Sequence, residues 1–285
     1  MSSRNDDYHI HIDGKSTPIA LNLQEIWRYR DLIMLFTRRT MKLTYKQTVL
    51  GPLWLVIVPL LTSVVYAAVF KGIARISTDG VPALLFYLCS HSLWKFFSSC
   101  FKRNSTTFVT NANIFGKVYF PRLAISVSTM LTALIEFLIE LAMIVVLLIV
   151  YMARGEVYPC FRLMWLLPAV VLMVGALGMG LGILVSSLTT KYRDLVMLVD
   201  FGVSLWMYAT PVVYPMTQLN NTGVLQRIMM FNPMTAPMEL FRKIMLGVGS
   251  VSTVSIASSV IFTIAALAAG VLVFNRVERT FIDTI

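Results

Sequence analysis

Six long apolar stretches constrain this chain more than any other feature. They are PLWLVIVPLLTSVVYAAVF (52–70), VPALLFYLCSHSLWKFFSSCF (81–101), a run within 120–151, LMWLLPAVVLMVGALGMGLGILVSSL (163–188), LVMLVDFGVSLWMYATPVVY (195–214) and 251–274. A helix crosses the hydrocarbon core of a bilayer with about 20 mostly apolar residues, and each stretch meets that length. The alternating ten-residue segments of a membrane barrel are not the pattern seen. Composition agrees: 57% of the 285 residues are hydrophobic and only 13% charged, against roughly 45–50% and about 25% in soluble domains. So little charge cannot coat a globule of this size. The expected fold is all-α and integral to a membrane, with six transmembrane helices in a domain covering 51–275.

Lys and Arg distribute unevenly between the connecting segments. With the N-terminus inside, segments 1–51, 102–122, 189–194 and 275–285 carry 16 basic residues, and the opposite set carries 7. Cytoplasmic loops collect Lys and Arg, so both termini are expected in the cytoplasm, the last of them a short tail over 276–285. The net charge of +10 is read as this asymmetry, not as a nucleic-acid surface. The polar segment 1–21 has no apolar core of a signal peptide, so it is expected to remain in the mature protein. Cys89, Cys100 and Cys160 have neither metal-ligand spacing nor an even number for full pairing.

Two segments outside the spans carry structure of their own. Over 22–50, Asn22 with Glu25 resembles a capping box. A helix over 23–47 gathers Arg28, Arg39, Lys42 and Lys46 in an arc of roughly 60° at 100° per residue. Ile26, Tyr29, Ile33 and Phe36 lie on another side, while Leu32 and Leu35 interrupt the basic face. That pattern predicts a helix lying along the cytoplasmic interface. Segment 215–250 is too short and too broken by Pro233 and Pro237 for further spans. It predicts two short helices joined near Asn232–Pro233, over about 217–246, dipping part-way into the outer leaflet against protein or a wet cavity.

Chemistry-bearing residues are few. GlyLysSer at 14–16 lacks the phosphate-loop pattern, because His9 stands where the first Gly belongs. His9 and His11 have one further histidine in the chain, His91 inside a span, so no metal site is expected. Lys95, Glu136, Glu140 and Asp200 are charges within apolar stretches, the usual mark of function in a membrane. Glu136 and Glu140 share a helix face: either a proton or cation relay, or, as favoured, a polar anchor between packed helices or a third span that begins in the interface. Gly175, Gly178, Gly180 and Gly182 give the fourth stretch a small-residue face for close helix packing.

Four segments in order resemble the membrane subunits of bacterial ABC-type polysaccharide exporters, which move O-antigen, capsule or teichoic-acid chains. They are TYKQTVLGPLWLVIVPL (44–60), NANIFGKVYFPR (111–122), YRDLVMLVDFGVSLWMYATPVVYP (192–215) and FNPMTAPMELFRKIMLG (231–247). The resemblance implies a permease in the bacterial cytoplasmic (inner) membrane that pairs with a second copy of itself. Two separate ATPase subunits would supply the work and hold the ATP and Mg, so this chain would bind no cofactor and catalyse nothing. A coupling helix is implied at about 102–118, with Asn111, Asn113, Ile114, Phe115, Gly116 and Lys117 at the matching motif. The implied cargo is a glycan on a polyprenyl diphosphate or similar lipid.

Two readings of Arg28, Arg39, Lys42 and Lys46 stay open: a grip on the carrier's phosphate oxygens, or contact with anionic membrane lipids that fixes topology. Tyr66, Trp94, Phe97, Trp206, Tyr208 and Tyr214 either stack on sugar rings along the path or serve as interface anchors and packing. The alternatives to a glycan exporter are a drug or small-lipid exporter permease, a membrane glycosyltransferase or ligase, and an ion-coupled transporter. The transferase would need an acidic pair, and Glu239 is the lone acid of 215–250. The ion-coupled reading rests on Glu136 and Glu140 alone.

Overall fold

The computed structural model describes residues 27–46, 49–111, 120–189, 192, 194–219 and 223–282. Every regular element among them is helical. Helix α1 spans Arg30–Tyr45. A 3-10 turn (Gly51–Leu53) leads into α2 (Trp54–Tyr66), which widens into a π-turn at Ala67–Ile73. Then come α3 (Ala83–Ser105), the one-turn α4 (Thr107–Thr110), α5 (Leu123–Ala153) and α6 (Leu167–Thr189). The chain ends with α7 (Leu195–Tyr208), α8 (Val224–Phe231), α9 (Thr235–Leu246) and α10 (Thr253–Ile282).

Among the described residues, four helical segments are long and apolar enough to cross a membrane: Gly51–Ile73, Leu123–Ala153, Phe161–Thr189 and Thr253–Phe274. The two other expected spans differ in instructive ways. Helix α3 has the length, 23 residues, but it carries His91, Lys95, Lys102, Arg103 and Asn104, which lower its hydropathy. It is nonetheless the most enclosed of the long helices, with Leu85, Phe86, Tyr87, Leu88, Leu93 and Phe97 fully buried. Protein rather than lipid surrounds it. The fifth stretch, expected to be helical through Tyr214, stops at Tyr208. Pro211 lacks an N–H and disfavours helical geometry at Thr210 before it. The 14 residues that remain reach about 21 Å at 1.5 Å each, short of a ~30 Å core.

Packing centres on α6, held between α3 and α10. Small residues allow it. A Cβ on Gly178 would sit 2.9 Å from the Phe97 carbonyl oxygen of α3, and one on Gly180 would sit 2.8 Å from the Leu267 nitrogen of α10. Helix α5 packs on the far side of α3, and α1 lies along α5. Ile33 of α1 enters a small core with Phe120, Ala124, Ile125, Ile183 and Phe274. The α1 helix expected over 23–47 therefore buries its apolar face against protein; its proposed cap, Asn22 with Glu25, lies outside the described residues.

The implied coupling helix at 102–118 needs a correction at its start. Residues 102–105 are the last turn of α3, and only Thr107–Thr110 forms a separate short helix. Asn113, Ile114, Phe115, Gly116 and Lys117 lie outside the described residues. Beyond α7, helices α8 and α9 meet at Asn232–Pro233. Gly247 closes α9 in the left-handed region (φ 76°), donating its N–H to Lys243 O at 3.2 Å, a conformation that glycine adopts without Cβ strain.

Candidate functional site

The basic face of α1 forms an open groove of about 500 Å³ lined by Leu35, Arg38, Arg39, Lys42, Leu43 and Lys46. All four cations are exposed, so they meet solvent or headgroups rather than the core. Arg28 is not part of this lining; eleven residues separate it from Arg39, about 16 Å along a helix. Arg38, which the 60° arc left out, does line it. Its i,i+4 relation to Lys42 was the available signal, because long side chains sweep a wider sector than their Cβ atoms.

The aromatic candidates divide into two groups. Trp94, Phe97 and Trp206 form a cluster where α3 meets α7, with ring centroids 5.2 Å apart for Trp94–Phe97 and Phe97–Trp206 and 6.3 Å for Trp94–Trp206. Tyr66 of α2 joins its edge: its hydroxyl donates to Met207 Sδ at 3.7 Å, and its ring lies 5.5 Å from His91. Trp94 and Phe97 are buried, so within one chain they are packing residues. Tyr214 donates its hydroxyl to the Tyr208 carbonyl at 3.0 Å, and Tyr208 is exposed. Asn232 ties this end of α7 to the α8–α9 hairpin. Its Oδ1 accepts from Trp206 Nε1 at 3.3 Å and from Met234 N at 3.0 Å. Its Nδ2 donates to Ala209 O at 2.6 Å and to Thr210 Oγ1 at 3.0 Å.

Every charge flagged inside an apolar stretch has a partner. Lys95 Nζ lies 2.5 Å from Glu140 Oε1. Arg103 Nη2 donates to both oxygens of Glu136 at 2.9 Å. Lys102 Nζ lies 3.1 Å from Asp200 Oδ1. Helix α3 supplies all three cations; α5 supplies Glu136 and Glu140, and α7 supplies Asp200. Glu136 also accepts from the Tyr45 hydroxyl of α1 at 3.1 Å. Burial first, and the facing carboxylate second, raise the Tyr45 phenol above its ordinary value, so Tyr45 stays protonated and acts as the donor. This arrangement suits helix anchoring. It leaves neither carboxylate the free, wet face that a proton relay needs.

One ionic pair was missed in the sequence. Glu239 and Arg242 of α9 are both fully buried and bonded to each other. Glu239 also accepts from Ser250 N at 2.9 Å and Met216 N at 3.3 Å. Arg242 Nη1 donates to Tyr214 O at 3.4 Å, and its guanidinium lies 4.7 Å from the centre of the Phe86 ring. Their i,i+3 spacing was the readable sign.

Asn111, the described member of the 111–117 motif, donates its side-chain amide to Thr107 O at 3.0 Å. The chain on either side of α4 is held to the end of α6. Thr189 Oγ1 donates to Ser105 O at 2.6 Å, and Phe108 N donates to Ser186 Oγ at 3.3 Å.

Residues 31–246 match the model of the family described as ABC-2 type transporter. An O-antigen export system permease protein RfbA of Klebsiella pneumoniae is 28% identical over 256 residues, covering 89% of this chain and 94% of that protein. One of Myxococcus xanthus is 27% identical over 222 residues, covering 78% and 83%.

Proposed function

The chain belongs to the ABC-2 type transporter family, and on that premise we propose that it is the permease subunit of an exporter carrying a lipid-linked polysaccharide out across the bacterial inner membrane. A separate ATPase subunit, two copies per complex, supplies the work, and a second copy of this chain completes the path. The observation that carries this reading is the similarity to O-antigen export permeases over 89% of this chain and 94% of theirs. The six-span arrangement counts α3 and the 195–214 region as the remaining crossings. Helix α7 turns Met197, Leu198, Phe201 and Leu205 outward, an apolar face suited to a second copy.

The groove on α1 suits the carrier. Arg38, Arg39, Lys42 and Lys46 offer charge-assisted donors for phosphate oxygens, and Leu35 and Leu43 flank them with apolar surface. The test is a reconstituted complex of this chain with its ATPase. Polyprenyl diphosphate-linked O-antigen is expected to stimulate ATP hydrolysis and to cross the bilayer. Stimulation by drugs or short lipids with none by the glycan would favour the small-molecule exporter. In the Arg39→Gln/Lys42→Gln double variant, cargo affinity per assembled complex is expected to fall at least tenfold, with basal hydrolysis kept. Unchanged affinity would leave these residues to topology and bulk lipid.

Orientation has its own test. In a background lacking Cys89, Cys100 and Cys160, Thr217→Cys is expected to react with an impermeant maleimide added to spheroplasts. Thr110→Cys and Tyr192→Cys are expected to stay unlabelled until the membrane is opened. All three positions are exposed. Labelling of Thr110→Cys from outside would reverse the proposed topology.

A further inference from the structure

The last turn of α3 is gripped from two sides. Lys102 and Arg103 are consecutive, and successive helix positions point about 100° apart. Lys102 reaches α7 at Asp200, 3.1 Å away. Arg103 reaches α5 at Glu136, 2.9 Å away, and the same carboxylate accepts from Tyr45 at the end of α1. Four helices meet through two adjacent residues. The next residues, 104–111, are the chain's approach to the motif segment after Asn111, and they are bonded to the end of α6.

The Glu136 node has the character of a joint rather than a weld. The Glu136 side chain is only 5% exposed and Arg103 is 37% exposed, so a buried acid is met by a cation reaching in from a more open position. Arg103 uses one nitrogen, Nη2, for both carboxylate oxygens, while its Nη1 is buried without an acceptor among the described residues. The stronger fork of two parallel bonds is not formed, which leaves a donor for a second arrangement. Well-packed apolar side chains in place of a buried ion pair are often as stable or more so. The ionic version adds a narrow geometry that makes or breaks as a unit, and a two-state contact is what carries coupling between distant sites.

We propose that Glu136 is a positioning residue that passes movement of the segment following Ser105 to α1, through Arg103 and Tyr45, while the Lys102–Asp200 pair passes the same movement to α7. One input at residues 106–111 thereby reaches both the basic groove and the helix that carries Trp206. This rests on the exporter reading above and goes beyond it by naming the residues that join work to cargo handling.

The experiment uses the full complex with its ATPase in vesicles of phosphatidylethanolamine and phosphatidylglycerol, with polyprenyl diphosphate-linked O-antigen as cargo. It reads glycan translocated per ATP hydrolysed, normalised to assembled complex. Glu136→Gln keeps the shape and removes the charge. It is expected to hold hydrolysis within about twofold of the wild type and to lower glycan per ATP about tenfold. Tyr45→Phe, which removes one hydroxyl, is expected to lower the ratio about threefold. The double variant is expected to be no worse than Glu136→Gln alone, since both act on one node. An unchanged ratio in Glu136→Gln would overturn the proposal, as would hydrolysis and export falling together at constant ratio, or losses that multiply in the double variant. If Glu136→Gln does not assemble, unchanged ratios in both Tyr45→Phe and Lys102→Gln overturn it instead. A wild-type complex that moves no glycan refutes the exporter reading; a coupled wild type beside equally coupled variants refutes only the node.

Discussion

Arg242→Met is expected to remove most of the correctly assembled protein from the membrane. Arg242 and Glu239 are both fully buried, and the pair holds separate stretches of chain together. Glu239 receives Met216 N at 3.3 Å and Ser250 N at 2.9 Å; Arg242 binds the Tyr214 carbonyl at 3.4 Å and lies over Phe86 of α3. Removing the guanidinium leaves a carboxylate in the core with two amide donors and no countercharge. Breaking a buried pair from one side costs about 3–5 kcal/mol, a large share of the roughly 5–15 kcal/mol that holds a typical domain folded. The measurement is the monodisperse fraction of the detergent-extracted protein, with thermal unfolding of what survives. Glu239→Gln/Arg242→Met removes both charges and is expected to recover much of the loss. If the single variant matched the wild type, the pair would be irrelevant to stability. If the double variant were as poor as the single one, lost packing rather than unpaired charge would be the cause.

That pair also marks where sequence reading stops. Length and hydropathy are local properties, so Leu123–Ala153 and Phe161–Thr189 could be read almost to their ends. Burial by protein is not local. Helix α3 reads in the sequence as a span ending at Phe101, with Lys102 and Arg103 in the loop beyond; the helix runs on to Ser105, and Lys95, Lys102 and Arg103 are matched by acids on α5 and α7. Glu136 and Glu140 stood out in the sequence as intramembrane acids. Their partners Arg103 and Lys95 come 33 and 45 residues earlier, a separation that no helical period encodes. Glu239 and Arg242 were hidden differently: 215–250 reads as two short helices at the outer leaflet, with Glu239 weighed there as a lone acid, without the Arg242 one helical turn away. The basic groove was legible through the helical arc that gathers Arg39, Lys42 and Lys46; Arg38 fell outside that arc despite its i,i+4 spacing to Lys42, and Arg28 was assigned by angle alone although its height along the helix sets it apart.

The second large effect is expected at the backbone contacts of α6. Gly182→Leu should lower the assembled fraction at least tenfold, while Gly202→Leu on α7 should leave it unchanged. A Cβ at Gly182 would lie 2.7 Å from the Phe101 carbonyl oxygen and 2.5 Å from Asn104 Cβ. The first of these is backbone, so no rotamer change of a neighbour relieves it. At Gly202 nothing lies within 4 Å, and leucine is the better helix former by up to about 1 kcal/mol. In a bilayer the hydrophobic effect contributes little to helix association, and close packing carries it instead. Forcing α3 away from α6 therefore forfeits the main attraction, on top of an overpacking strain of about 1–3 kcal/mol or more. The same displacement moves the turn that holds Lys102 and Arg103, so whatever survives should also have loosened its contacts to Asp200 and Glu136. Equal yields from the two leucine variants would show that α6 does not depend on this approach, and the small-residue face would then need another explanation.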